Sequence, residues 1–447
     1  MSFSSNFTKV LFGIGLGVFA YFLSLPYFEH TQSALIGVLV LLITLWTNEG
    51  LHLGVVSLLP LILFPSLEII EFSQVTPNYS KTIIFLFMGG FLLAIGMQKT
   101  GAHKKIAYLV LSIFPKSFTG ILYALAITSG VMSGVLSNTT VTILLVPIAL
   151  YLSKDPNIQF RMVLAVAYGA TIGGILTPIG TPPNLIFLGF AEDMGITVPT
   201  FFEWVFKLLP LVITMMIIMP LTLAFGVKNF KLEHKEEKIS FDRDQKIVLY
   251  ILGGLVLLLF LNSPIKPFYN GLGLNEKLII LTAGLLLFMP KIDILKWEDM
   301  KEFPYAIIFL FGASFSIATA FSDTGLAKAV TEYISVFAQL PVILMIAFIV
   351  GLIIFATEIT SNTALISIAL PIIYTFIQTN GIENGETVLF MITIASSYAF
   401  MLPIATAPNA IAISTGIIKI GKMAKIGFIL NILGMLALLG VAHTFWF

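Results

Sequence analysis

Two identical polar words, Ser137-Asn138-Thr139 and Ser361-Asn362-Thr363, stand 224 residues apart in otherwise apolar sequence. They offer hydroxyl and carboxamide oxygens, which together with main-chain carbonyls suit a hard monovalent cation such as sodium. The same hydroxyls and amide N–H groups can bind carboxylate oxygens. A second pair of words follows the first. Pro178, Thr181, Pro183 and Asn184 of LTPIGTPPN fall over Pro403, Thr406, Pro408 and Asn409 of LPIATAPN at an offset of 225. Proline cannot donate a helical hydrogen bond and restricts the residue before it, so each word interrupts an apolar span. Carbonyls freed there can coordinate a cation, and the helix N-terminus beyond can face an anion. No lysine or arginine lies near the four words. A fixed positive charge at membrane depth is costly, so an anion bound there is expected to be neutralised by bound cations and helix dipoles.

The elements that must position these words also repeat. FLFMGGFLLAIGMQKTG (85–101) matches FLFGASFSIATAFSDTG (309–325) at offset 224, Pro147 falls over Pro371, and Ser133 over Thr357. One structural unit has been used twice. Its medium follows from composition: 58% of the 447 residues are hydrophobic and 11% charged, and the mean hydropathy is +1.01, against about 45–50% apolar and 25% charged in soluble proteins. The chain belongs in a lipid bilayer. The net charge of +1 points to no nucleic acid, and zero cysteines exclude disulfides, thiolate metal sites and cysteine catalysis. The opening MSFSSNFTKV lacks a cluster of positive charges and a small-residue cleavage site, so the apolar run after it reads as a retained span.

The pattern predicts an all-α integral membrane protein with about eleven transmembrane helices, at 8–25, 32–46, 51–66, 82–98, 162–190, 204–226, 245–261, 275–290, 304–321, 387–415 and 426–446. The apolar blocks 118–152 and 340–379 each carry an SNT near the centre and read as re-entrant helical hairpins, since broken backbone at such depth is tolerated only where it lines a cavity. Placing the N-terminus in the cytoplasm and the C-terminus outside puts 19 of the 24 Lys and Arg residues inside, all but Lys81, Lys207, Lys266, Lys277 and Lys328. Five crossings then separate the hairpins, so they enter from opposite faces. The result is two inverted-topology repeats, the recurring plan of secondary transporters, with the site near the midplane.

Other readings stand beside this one. Ser, Thr and Asn in membrane helices often only bond helices together. Glu358, three residues before the second SNT, falls over Gly134 and is either a hairpin anchor or a proton or cation carrier. Glu49 and His52 sit at an expected membrane boundary and read as interfacial, the 39 phenylalanines as lipid-facing or packing surface, and the charged run 228–246 as a solvated linker. The five histidines, His30, His52, His103, His234 and His443, have no spacing suited to ligation, so an intramembrane hydrolase lacks its base or metal. Nothing in two closed hairpin tips suggests the continuous pore of a channel.

Paired SNT words in two hairpins, each followed by a TPPN-like break, resemble the divalent anion/sodium symporters, the INDY-type di- and tricarboxylate carriers, over essentially the whole chain. The resemblance implies a homodimer in the plasma membrane working by an elevator movement, with succinate, malate, fumarate, α-ketoglutarate or citrate carried by a sodium gradient. It assigns scaffold helices to 1–100 and 247–325, transport parts to 101–226 and 326–447, and a cytoplasmic linker to 227–246. By the same resemblance, one sodium site uses Ser133, Ser137, Asn138 and the Gly180 carbonyl, and a second uses Thr357, Asn362 and carbonyls around Ala405. Substrate carboxylates fall to Ser137, Asn138, Thr139, Ser361, Asn362, Thr363, Thr181 and Thr406. Ala407 stands where the family commonly has proline, which bears on wall shape and substrate preference. A dicarboxylate exchanger or a carrier of sulfate or another divalent oxyanion would share the same fold.

Overall fold

A computed structural model of the chain describes residues 5–227, 240–264 and 268–447. No β-strand forms among the described residues. The chain opens with α1 (Ser5–Ser24) and α2 (His30–Asn48), continues through the short α3 (Leu53–Val56), α4 (Pro60–Ser66) and α5 (Phe72–Val75), and enters the first repeat. That repeat is α6 (Thr82–Thr100), α7 (Ala102–Ile113), α8 (Phe118–Ser133), α9 (Asn138–Tyr151), α10 (Pro156–Gly174), α11 (Pro182–Asp193) and α12 (Phe201–Ala224). After α13 (Arg243–Asn262) and α14 (Glu276–Leu286), the same series returns as α15 (Tyr305–Asp323), α16 (Leu326–Ile334), α17 (Val342–Ala356), α18 (Asn362–Asn380), α19 (Gly385–Ala395), α20 (Ala407–Ser414) and α21 (Ile420–Phe445).

Eight helical segments among the described residues are long and apolar enough to cross a bilayer. Seven of them coincide with expected crossings. The eighth is α18, whose 19 residues exceed the 14 of its counterpart α9, because α9 runs into the Ser153-Lys154-Asp155-Pro156 stop while α18 continues to the left-handed Gly381 cap. Two expected single crossings differ in form. The stretch 51–66 is two short helices, because Leu58 and Leu59 turn the chain before Pro60 opens α4. The stretch 275–290 yields only the 11 residues of α14, which ends in a turn at 287–290. Within the expected linker 227–246, residues 228–239, with Lys228, Lys231, Lys235 and Lys238, lie outside the described residues, and Arg243 already opens α13 behind an Asp242 cap.

The expected crossings 162–190 and 387–415 are indeed interrupted, at 175–181 between α10 and α11 and at 396–406 between α19 and α20. Pro182 at the first position of α11 and Pro408 at the second of α20 explain the restarts, where a missing N–H costs nothing. The amphipathic α7 and α16 were not anticipated. Each follows a glycine at φ +69°, Gly101 or Gly325, that ends the long helix before it in the left-handed region. Where α6 crosses α14 the backbones meet directly: a Cβ on Gly89 would lie 2.4 Å from the Ile280 carbonyl oxygen. A large buried core joins α6 to α21, and a smaller one gathers α2 to α5 against α15 and α16.

Candidate functional site

Four helices begin on one cavity of about 230 Å³. α9 starts at Asn138 after Ser137, α18 at Asn362 after Ser361, α11 at Pro182 after Thr181, and α20 at Ala407 after Thr406, and all of these residues line it. Thr139 and Thr363 complete the polar wall, so the eight residues expected to touch substrate share a single chamber. The four N-termini turn positive dipole ends toward it, although Pro182 and Pro183 leave the first two positions of α11 without an N–H. None of its lining residues is charged. The Ser137 hydroxyl caps Thr140 N–H at 3.2 Å and lies 2.8 Å from Thr140 Oγ1, whereas Thr181 and Ser361 make no capping bond with their own helices.

Behind the polar wall, the C-terminal ends of the preceding helices bring oxygens together. Ser133, the last residue of α8, is fully buried and donates its hydroxyl to Asn138 Oδ1. A Cβ on Gly174, at the end of α10, would fall 2.5 Å from Asn138 Oδ1, and one on Gly180 would fall 2.2 Å from the Gly174 carbonyl oxygen and 3.0 Å from that of Ser133. Ser133, Asn138, Gly174 and Gly180 therefore pack within touching distance, and acceptor oxygens dominate among them. In the second repeat Thr357 Oγ1 lies 2.6 Å from Asn362 Oδ1 and 2.7 Å from the Ser396 carbonyl, again fully buried. One hydroxyl proton faces two acceptors there. Such excess of acceptor oxygen at negative helix ends fits a hard cation. Ala405 lines the cavity beside Thr406, whose hydroxyl accepts Asn409 N–H at 3.3 Å.

Glu358 resolves as an anchor in its contacts. The second break opens four residues earlier than the first when the repeats are superposed in register, which leaves N–H groups at 400–402 without helical partners. Glu358 Oε1 accepts from Phe400 N–H (2.7 Å), Met401 N–H (2.9 Å) and Asn431 Nδ2 (2.7 Å), and Oε2 accepts from Leu402 N–H (2.9 Å). At 3% exposure it has no cationic partner among the described residues, and only dipoles meet its two oxygens. His52 and Glu49 are local features: His52 Nδ1 caps α3 through Gly54 N–H, and Glu49 ends α2 at φ 53°.

Sequence reasoning missed the opposite wall, made of Phe87, Gly90 and Phe91 of α6 and Ile307 of α15. A signal existed. Phe87 falls over Phe311 in the repeat, and the two rings meet at 4.4 Å between centroids. Repeat mates touch only near the axis relating them, which marks this stretch of α6 and α15 as central. Not all phenylalanines are surface: Phe87, Phe311 and Phe315 are buried, while Phe12, Phe19 and Phe22 of α1 are exposed.

Comparison with known proteins places this geometry. The citrate transporter family model, CitMHS, matches residues 39–395. The chain is similar to the sodium-dependent dicarboxylate transporter SdcS of Staphylococcus saprophyticus, 30% identical over 97% of this chain and 91% of that one. It is equally similar to SdcS of Staphylococcus aureus strain USA300, 30% identical over 97% and 90%. Among solved structures, the YdaH transporter of Alcanivorax borkumensis superposes with a TM-score of 0.59 at 16% identity, covering 94% of this chain and 99% of that one. MtrF of Neisseria gonorrhoeae, described among antimetabolite efflux pumps, gives 0.58 at 11% identity over 83% and 82%. These two show a shared fold. The chain therefore belongs to the citrate transporter family, within the divalent anion/sodium symporters, and is a multi-pass membrane transporter and not an enzyme.

Proposed function

We propose that the protein carries small dicarboxylates such as succinate, malate or fumarate by symport with sodium. The observation that carries this reading is the sorting of helix ends. Four N-termini meet at an uncharged, hydroxyl-lined cavity, and four C-termini meet acceptor-rich pockets immediately behind it. An anion is stabilised at the first set and a cation at the second. Asn138 and Asn362 belong to both: each lines the cavity while its Oδ1 faces the pocket behind. A bound sodium would orient the carboxamide and offset substrate charge that no lysine or arginine neutralises. This is the physical basis of coupling. The cavity volume lies below the ~300–1,000 Å³ of drug-sized sites, which favours a compact metabolite, and the names of the similar transporters agree.

The wider arrangement in this reading is two inverted repeats, with 1–100 and 247–325 as scaffold and 101–226 and 326–447 as the moving part of a homodimer in the plasma membrane. What supports an elevator movement is the division of the cavity, whose polar wall comes from α9, α11, α18 and α20 and whose apolar wall from α6 and α15. A smooth apolar wall lets a polar one slide. Orientation with the N-terminus inside is supported by Lys99, paired with Asp299 at 2.6 Å, and by Arg243, donating to the Lys291 carbonyl at 2.8 Å. These lie at the end of α6 away from Lys81. The test is uptake of radiolabelled succinate into proteoliposomes with and without an inward sodium gradient, competed by citrate, α-ketoglutarate and sulfate. Gradient-driven uptake competed by dicarboxylates is expected; uptake that ignores sodium and needs internal dicarboxylate would instead establish an exchanger.

A further inference from the structure

The proline-rich words contribute two asparagines, Asn184 and Asn409, that do not line the cavity. Both are fully buried, and each is the third residue of its half-helix, α11 or α20. Asn184 Nδ2 donates to the Thr177 carbonyl at 2.9 Å, and the Thr177 hydroxyl donates to the Gly134 carbonyl. In the second repeat Asn409 Nδ2 donates to the Leu402 carbonyl at 3.0 Å, and Leu402 N–H donates to Glu358 Oε2 at 2.9 Å.

These are the same three positions. Leu402 falls over Thr177 at the 225 offset that relates Asn409 to Asn184, and Glu358 falls over Gly134 at 224. Half-helix, break and hairpin tip are tied in that order in both repeats, but with different parts. In the first, the break reaches the hairpin through a side-chain hydroxyl onto a backbone carbonyl; in the second, through a backbone N–H onto a side-chain carboxylate. The connection is common to both while its chemistry is not. In the first repeat it spans the two segments whose oxygens pack together, the hairpin with Ser133 and Asn138 and the break with Gly180. A site assembled from two segments depends on holding them within about 0.5 Å of the binding geometry.

Resting on the sodium-coupled reading above, we infer that Thr177 and Asn184 are positioning residues: they hold the first break against its hairpin and so set sodium affinity there, with Leu402, Asn409 and Glu358 as the second repeat's counterpart. The experiment is a sodium titration of succinate uptake in proteoliposomes. Thr177→Val should raise the sodium concentration for half-maximal uptake about 3- to 10-fold, the range for one buried hydrogen bond, with KM for succinate at saturating sodium changed by less than about twofold. Thr177→Ser, which keeps the hydroxyl, should titrate as wild type. Asn184→Ala should produce a similar rise, and the double variant no more than the larger single effect, since one tie is cut twice. The sodium-induced rise in melting temperature of purified protein, read without substrate, should shrink in the same variants. A sodium-dependent wild type with unshifted Thr177→Val, or strictly additive effects in the double variant, overturns the inference. Failure of both single variants to fold also overturns it, because the tie is then merely structural. A wild type indifferent to sodium refutes the symport reading itself.

Discussion

Replacing Glu358 removes the acceptor for two buried donors, Phe400 N–H and Asn431 Nδ2, and two part-buried ones, the N–H groups of Met401 and Leu402. An unsatisfied buried donor costs about 1–3 kcal/mol, so the two buried donors alone expose Glu358→Ala to a penalty of roughly 2–6 kcal/mol if nothing moves, a large share of a typical total stability of about 5–15 kcal/mol. Relaxation has an obvious route. α10 continues one turn further than α19 in repeat register, so α19 can rewind through 396–399 and supply carbonyls to the freed N–H groups, at the expense of the Thr357 contact with the Ser396 carbonyl. Glu358→Gln keeps an acceptor oxygen where three donors meet but turns an NH₂ toward Leu402 N–H, a loss of about 1–3 kcal/mol. Thermal unfolding of the purified protein should therefore rank wild type above Gln above Ala, with the Gln variant lower by a few degrees and still transporting. A Glu358→Ala protein melting within about 1 °C of wild type would refute the anchoring argument. A Gln variant of wild-type stability but no transport would return Glu358 to the role of a proton or cation carrier.

Gly89→Ala should destabilise by about 1–3 kcal/mol or block folding, because its Cβ meets the Ile280 backbone at 2.4 Å, whereas Gly90→Ala, whose nearest contact is Ile179 at 3.5 Å, should fold normally; paired melting curves check both. Two ion pairs, Lys81 with Asp193 and Lys277 with Glu192 (2.7 Å), join the end of α11 to the starts of α6 and α14. Partly exposed pairs of this kind contribute about 0–1 kcal/mol each, so Glu192→Gln with Asp193→Asn should leave the melting temperature within a few degrees. In the elevator reading it should also raise thiol labelling of an Ile83→Cys variant from outside several-fold, a clean readout because the chain has no other cysteine; unchanged labelling would show that the pairs do not hold α11 in place.

The legible part of this molecule was written in polar residues. Repetition of SNT and of the proline words was enough to bring eight residues to one cavity, because a polar word in apolar sequence has few places to go. Continuity of apolar sequence was a poorer guide to helix length. It merged 51–66 into one crossing and passed over α7 and α16, whose apolar stripe at helical spacing is diluted by Lys104, Lys105 and Lys328. Glu358 was ambiguous because three of its four partners are backbone N–H groups 42 to 44 residues away, which carry no residue signature, and the fourth, Asn431, lies 73 residues away. The apolar wall of Phe87, Phe91 and Ile307 looked like any lipid-facing helix, and only contact between repeat mates distinguishes it.

Central to the account is that the two SNT words form halves of one site. Uptake of labelled succinate under a sodium gradient by Asn138→Ala and Asn362→Ala, measured separately on protein shown to be folded, tests this most directly. A single shared site predicts that either substitution alone abolishes uptake. Retention of about half the wild-type rate in each, with loss only in the double variant, would mean two independent sites and would contradict the account.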